Sequence, residues 1–102
     1  MKPIKNGMRP IHPGEILREE FLLPLAMTAH ALAMALQVPA PRINDIVRER
    51  RGITADTALR LSRYLGTSAE FWMGLQADYD LRIAEASTKD ALDRIKTMSQ
   101  VA

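Results

Sequence analysis

The chain has 102 residues, 47% of them hydrophobic, which suits one domain with one modest core. It has no cysteine, so disulfides and thiolate metal sites are excluded. No apolar run approaches the roughly 18 residues of a membrane span or stands behind Lys2, Lys5 and Arg9 as a secretory signal would, which points to the cytoplasm.

The formal charge of +2 hides an asymmetry. Between residues 28 and 53, Arg42, Arg48, Arg50 and Arg51 outweigh Asp45 and Glu49. Between residues 54 and 86, Asp56, Glu70, Asp78, Asp80 and Glu85 outweigh Arg60, Arg63 and Arg82. An anionic partner suits the first stretch but not the second.

In chain order, residues 1–11 carry Pro3, Gly7 and Pro10 and read as an arm. Pro13 suits the first position of a helix, where its missing N–H breaks no bond. Ile16, Leu17 and Phe21 follow with helical spacing, and Pro24 stops this helix. Thr28 is a good N-cap for the alanine-rich Ala29–Leu36, whose Leu32, Ala33 and Leu36 share a face. A third helix starts within Pro39–Pro41 and is expected to run to about Glu49, with Gly52 closing the segment. Ile43, Ile46 and Val47 give it a buried stripe, leaving Arg42, Asn44, Asp45 and Arg48 outside.

Thr54 caps a fourth helix with Ala58, Leu61 and Leu65 inside and Gly66 at its end. Ser68 caps a fifth, with a stripe of Trp72, Leu75, Tyr79, Ile83 and Ala86. A last short helix is expected from Thr88, with Leu92, Ile95 and Met98 on one face. These elements describe an all-α chain: an arm over 1–11, a helical domain over 12–86 and a helical tail over 87–102.

Thr28 to Arg51 carries the functional signal. Two short helices joined by a brief turn form a helix-turn-helix unit, and small alanines let them approach closely. The second helix then projects its outer face toward a groove about 12 Å wide. Arg42 matches the two acceptors of guanine, and Asn44 matches adenine. Asp45 either accepts from cytosine or pairs with Arg42 or Arg48. Arg48, Arg50 and Arg51 lie further along and suit phosphates, as do Thr28 and His30 at the start of the supporting helix.

His12, Glu15 and Glu19 are spaced like metal ligands, but Pro13 and Gly14 explain the segment as a helix start. No Gly-rich phosphate loop or nucleophile–base motif is present, so no enzyme activity, metal or cofactor is expected.

Several blocks together resemble the HigA antitoxins, a branch of the lambda-repressor-like regulators. They are His12-Pro13-Gly14-Glu15, Thr28–Leu36, Arg42-Ile43-Asn44, the stretch Ile53–Leu61, Phe71-Trp72 and Leu75-Gln76. The resemblance spans about residues 11–83. It implies a lambda-repressor-like domain of five core helices with a helical C-terminal extension. It also implies a homodimer that binds its own operator and neutralises a HigB-type toxin, a ribosome-dependent mRNA-cleaving ribonuclease.

Alternatives are a stand-alone regulator without a toxin and a protein-interaction adaptor. The expected DNA-binding set is Thr28, His30, Pro41, Arg42, Asn44, Asp45, Arg48 and Arg50. The expected dimer surface is Trp72, Leu75, Tyr79 and Ile83, more apolar residues than a small core needs.

Three positions depart from the pattern. Gln37 stands where Gly is common, so a left-handed backbone there would cost on the order of 1 kcal/mol. Ala29 replaces a frequent Gln, removing a phosphate-binding side chain. Pro41 replaces a polar or basic residue, stiffening the helix start without reading a base.

Overall fold

In the computed structural model, residues 9–101 are described, and all their regular structure is helical. The expectation for residues 1–8 of the arm lies outside the described residues.

The first helix, α1, opens with Pro13–Ile16 and widens into a π-helical stretch at Leu17–Leu22. His12 is its N-cap: Nδ1 accepts from the Gly14 N–H at 2.8 Å. Burial pushes this imidazole below its ordinary pKa, which favours the neutral form that an acceptor nitrogen requires. The helix ends at Leu22, and a turn follows in which Ala26 adopts a φ of 52°. Gly14 is needed for packing rather than for a turn. A Cβ there would penetrate the Ile46 carbonyl, so α1 crosses the next-but-one helix at backbone distance.

Helix α2 spans Ala29–Leu36, with Thr28 Oγ1 accepting from the Ala31 N–H at 3.0 Å. It stops because Gln37 turns left-handed, at φ 59° and ψ 47°, the strained turn expected for this non-glycine position. Helix α3 follows at Ala40–Val47, with Pro41 in its first turn and Ile43 and Ile46 fully buried. It is shorter than expected. Glu49 turns left-handed at φ 64°, and the Arg50 N–H closes back on the Asp45 carbonyl at 2.8 Å. The reversal therefore precedes Gly52, and Arg48, expected on the helix, lies with Arg50 on the closing turn.

Helix α4, Ala55–Leu65, and helix α5, Ala69–Asp93, carry the expected caps at Thr54 and Ser68. Gly66, at φ 79°, ends α4. Trp72 is completely buried, and its Nε1–H donates to Thr67 Oγ1 at 2.6 Å. Leu17, Leu32, Ile43, Ile46 and Leu61 complete the deepest layer around it. Within this core α2 packs on α3 and α4, α1 on α3 and α5, and α4 on α5.

The expected break before Thr88 does not occur. Ser87 and Thr88 turn their hydroxyls onto the Ala84 carbonyl instead of capping a new helix. The expected boundary at residue 87 thus falls inside α5, and only the one-turn α6, Met98–Val101, follows.

Candidate nucleic-acid interface

The α2–α3 unit is held by two arginines that local sequence patterns do not reveal. Carbonyls in the last turn of a helix have no partner within it. Arg60, from α4, donates through Nη1 to the Leu36 carbonyl at the end of α2, at 2.9 Å. Arg18, from the π-helical stretch, donates to the Val47 carbonyl at the end of α3 and pairs with Glu49 at 3.3 Å. Gln76 braces the loop behind α3, its Oε1 accepting from the Ile53 N–H at 2.6 Å. Each of these links spans more than twenty residues, beyond the reach of helical spacing.

The outer surface of this unit gathers the expected binding residues. Thr28 and His30 are exposed at the start of α2, and Pro41 is exposed at the start of α3. Arg42 is half-buried, and its Nη1 donates to Asp56 Oδ2 at 2.6 Å. The same oxygen accepts from Arg60 Nε at 3.0 Å, and these two guanidinium groups, Arg42 first, hold the Asp56 carboxyl below the usual carboxylate range. Asn44 donates through Nδ2 to the Ala40 carbonyl at 3.1 Å, so its amide lies along its own helix. Asp45 pairs with Arg51 at 3.3 Å, and not with Arg42 or Arg48 as its helical spacing suggested. The closing turn brings Arg51 back toward the helix and decides this. Arg48 and Arg50 are exposed and make no ion pair among the described residues.

The metal-like trio is occupied otherwise. His12 Nδ1 caps α1, Glu15 accepts from Arg9 at 2.7 Å, and Glu19 accepts from Arg18 at 2.9 Å.

The expected dimer residues are not brought together on a surface. Trp72 is interior and offers nothing to a partner chain. Leu75 packs against the core, and the Tyr79 ring meets His12 edge-on with centroids 4.8 Å apart. Of the four only Ile83 is exposed, at 45%. The stripe was read as surplus because the depth of the α1 and α4 packing around Trp72 is not visible in helical spacing.

Two short helices at a tight turn, with the second displaying its polar face, define a helix-turn-helix protein. The chain belongs to the helix-turn-helix family, whose model matches residues 17–72. It is 64% identical over 81 residues to virulence-associated protein I of Dichelobacter nodosus, covering 79% of this chain and 75% of the relative. Antitoxin HigA-1 of Vibrio cholerae is 36% identical over 77 residues, covering 76% of this chain and 72% of that one. The solved Pseudomonas aeruginosa antitoxin HigA with the higBA promoter superposes with a TM-score of 0.86 at 55% identity. That match covers 88% of this chain and 99% of the other.

Within the family the chain belongs to the HigA-type antitoxins of lambda-repressor-like fold. Several relatives are named as helix-turn-helix transcriptional regulators or antitoxins, and none of those reported is named as an enzyme. No helix among the described residues is long and apolar enough to cross a membrane.

Proposed function

We propose that this protein is a cytoplasmic, homodimeric antitoxin that binds the operator of its own operon and neutralises a HigB-type mRNA-cleaving toxin. The observation that carries the DNA-binding part is the outward face of α3 with its closing turn. It presents Arg42, Arg48 and Arg50 on a frame whose helix ends are clamped by Arg18 and Arg60. The solved Pseudomonas relative with promoter DNA supports the choice of an operator as partner. The antitoxin relatives support the choice of a toxin.

In this reading Arg42 reads guanine, and Asn44 reads adenine after releasing the Ala40 carbonyl. Arg48 and Arg50 anchor phosphates, Thr28 and His30 meet the DNA backbone, and Pro41 sets the rigidity of the α3 start. Asp45, held by Arg51, limits close approach of phosphate and accepts from cytosine. A dimer places two α3 helices about 34 Å apart on an inverted repeat.

The test is fluorescence anisotropy with a duplex from immediately upstream of the operon, set against a scrambled duplex, at several salt concentrations. Wild type should prefer the operator duplex, and its affinity should fall steeply with salt. Arg42→Ala should cost about 1–3 kcal/mol on the operator and flatten the preference, while Arg48→Ala should weaken both duplexes alike. Equal wild-type binding to both duplexes would refute the reading. Co-expression with a HigB-type toxin tests the antitoxin half: growth should be restored, and continued arrest would refute it.

A further inference from the structure

We propose that Asp56 is a positioning residue for base recognition: it holds the Arg42 guanidinium by one edge and leaves the other edge free for a guanine. This deepens the operator-binding reading and rests on it.

A guanidinium has five donors in a rigid fork, and a guanine takes two neighbouring ones through N7 and O6. Asp56 Oδ2 engages only Nη1 of Arg42, at 2.6 Å. The Nε–Nη2 edge of Arg42 makes no hydrogen bond to any described residue. One edge is thus fixed to the protein, and the opposite, two-donor edge is open.

The anchor is itself anchored. Asp56 sits in the first turn of α4, where the helix dipole favours a carboxylate. Its Oδ2 also accepts from Arg60 Nε at 3.0 Å, and Arg60 Nη1 donates to the Leu36 carbonyl at 2.9 Å. A continuous chain of contacts therefore runs from the end of α2, through Arg60 and Asp56, to Arg42 on α3. The surrounding cleft of about 360 Å³, lined also by Arg51, Thr54 and Thr57, leaves the guanidinium room to swing if the carboxylate is removed.

An arginine on a flexible stem loses rotamer freedom when it docks on a base. Holding it beforehand lowers that cost for the one pose that matches guanine, so the effect falls on discrimination more than on raw affinity. Asp56 also carries a negative charge near a polyanion. Removing it should raise non-specific binding while lowering the preference for the correct base.

The experiment is selection from a random-sequence duplex pool with wild type, Asp56→Asn, Asp56→Glu, Arg42→Ala and the Asp56→Asn/Arg42→Ala double variant. Circular dichroism and melting of each variant accompany it. Wild type should enrich a motif with a guanine that Arg42→Ala loses. Asp56→Asn should reduce the preference at that base by about threefold or more, and nowhere else in the motif. Asp56→Glu, which keeps the charge, should restore part of it. In the Arg42→Ala background, Asp56→Asn should change nothing further at that base, which separates positioning from general loosening of α4.

A wild-type motif that Asp56→Asn leaves unchanged overturns the inference alone. So does a loss spread evenly over the motif, or one that persists without Arg42. A wild-type pool with no motif overturns the operator-binding reading, and the inference falls with it.

Discussion

The α2–α3 unit and the far half of α5 are both helical and both rich in alanine, yet their surroundings are opposite. The short pair is held at its ends and underneath. Arg60 closes α2, Arg18 closes α3, Gln76 ties the following loop, and the backbone of α1 comes up against Ile46 at Gly14. The long helix begins equally well seated, with Trp72 fully buried, and then leaves the core. Past Arg82 every residue of α5 is exposed, and Leu81 and Leu92 are each more than half exposed. A helix of 25 residues runs about 37 Å, further than this core extends along it. Rigidity is concentrated where the short helices need it. Eight-residue helices cannot stand alone, so the presenting unit is tied to its neighbours, while α5 persists by its own backbone bonds and by pairs such as Arg82–Glu85.

Truncating one side chain at each end of α5 separates the seated half from the exposed half. Trp72→Ala should lower unfolding free energy by about 3–5 kcal/mol in urea titrations, through cavity formation and loss of the Thr67 bond. Leu92→Ala should stay within about 0.5 kcal/mol when measured on the monomer. Equal costs would mean that the far half of α5 is seated after all.

Next in size is Gly14→Ala, expected to cost on the order of 3 kcal/mol. The added methyl has only the Ile46 backbone to displace. The same denaturant titration measures it, and a neutral result would show that α1 does not fix the position of α3. The smallest effect is a gain. Gln37→Gly should raise stability by roughly 0.5 kcal/mol, the relief of a left-handed non-glycine residue less the extra freedom of glycine in the unfolded chain. A shift in melting temperature of the matching sign checks it, and a loss would mean that the Gln37 side chain contributes more than its backbone costs.

What could be read from the sequence follows the same division. The starts of α2, α4 and α5 were legible because Thr28, Thr54 and Ser68 each cap a helix through a bond three residues long. The buried faces of α2 and α3 were legible because 3.6-residue spacing places Leu32, Leu36, Ile43 and Ile46 on shared sides. The left-handed Gln37 was legible as a position where Gly would be usual. The end of α3 was not, because Glu49 takes a left-handed turn with no glycine to announce it. The continuity of α5 was not, because a Ser-Thr pair serves equally as a cap or as a back-bonded interior step.

The candidate interface was legible as a list of residues and not as a set of pairings. Arg42 with Asp56, Asp45 with Arg51 and Arg18 with the end of α3 depend on how separate elements meet. Trp72 failed as a dimer residue for the same reason, since helical spacing shows a stripe and not what covers it.

On this reading the clamped α2–α3 unit, and not the exposed reach of α5, meets DNA. The most direct test is a titration of the isotope-labelled protein with its operator duplex, followed by backbone amide chemical shifts. The largest changes should fall at Thr28–Ala31, along Arg42–Asp45 and at Arg48–Arg51, with residues 83–93 moving little. Changes centred on residues 83–93, with α3 unmoved, would contradict that reading.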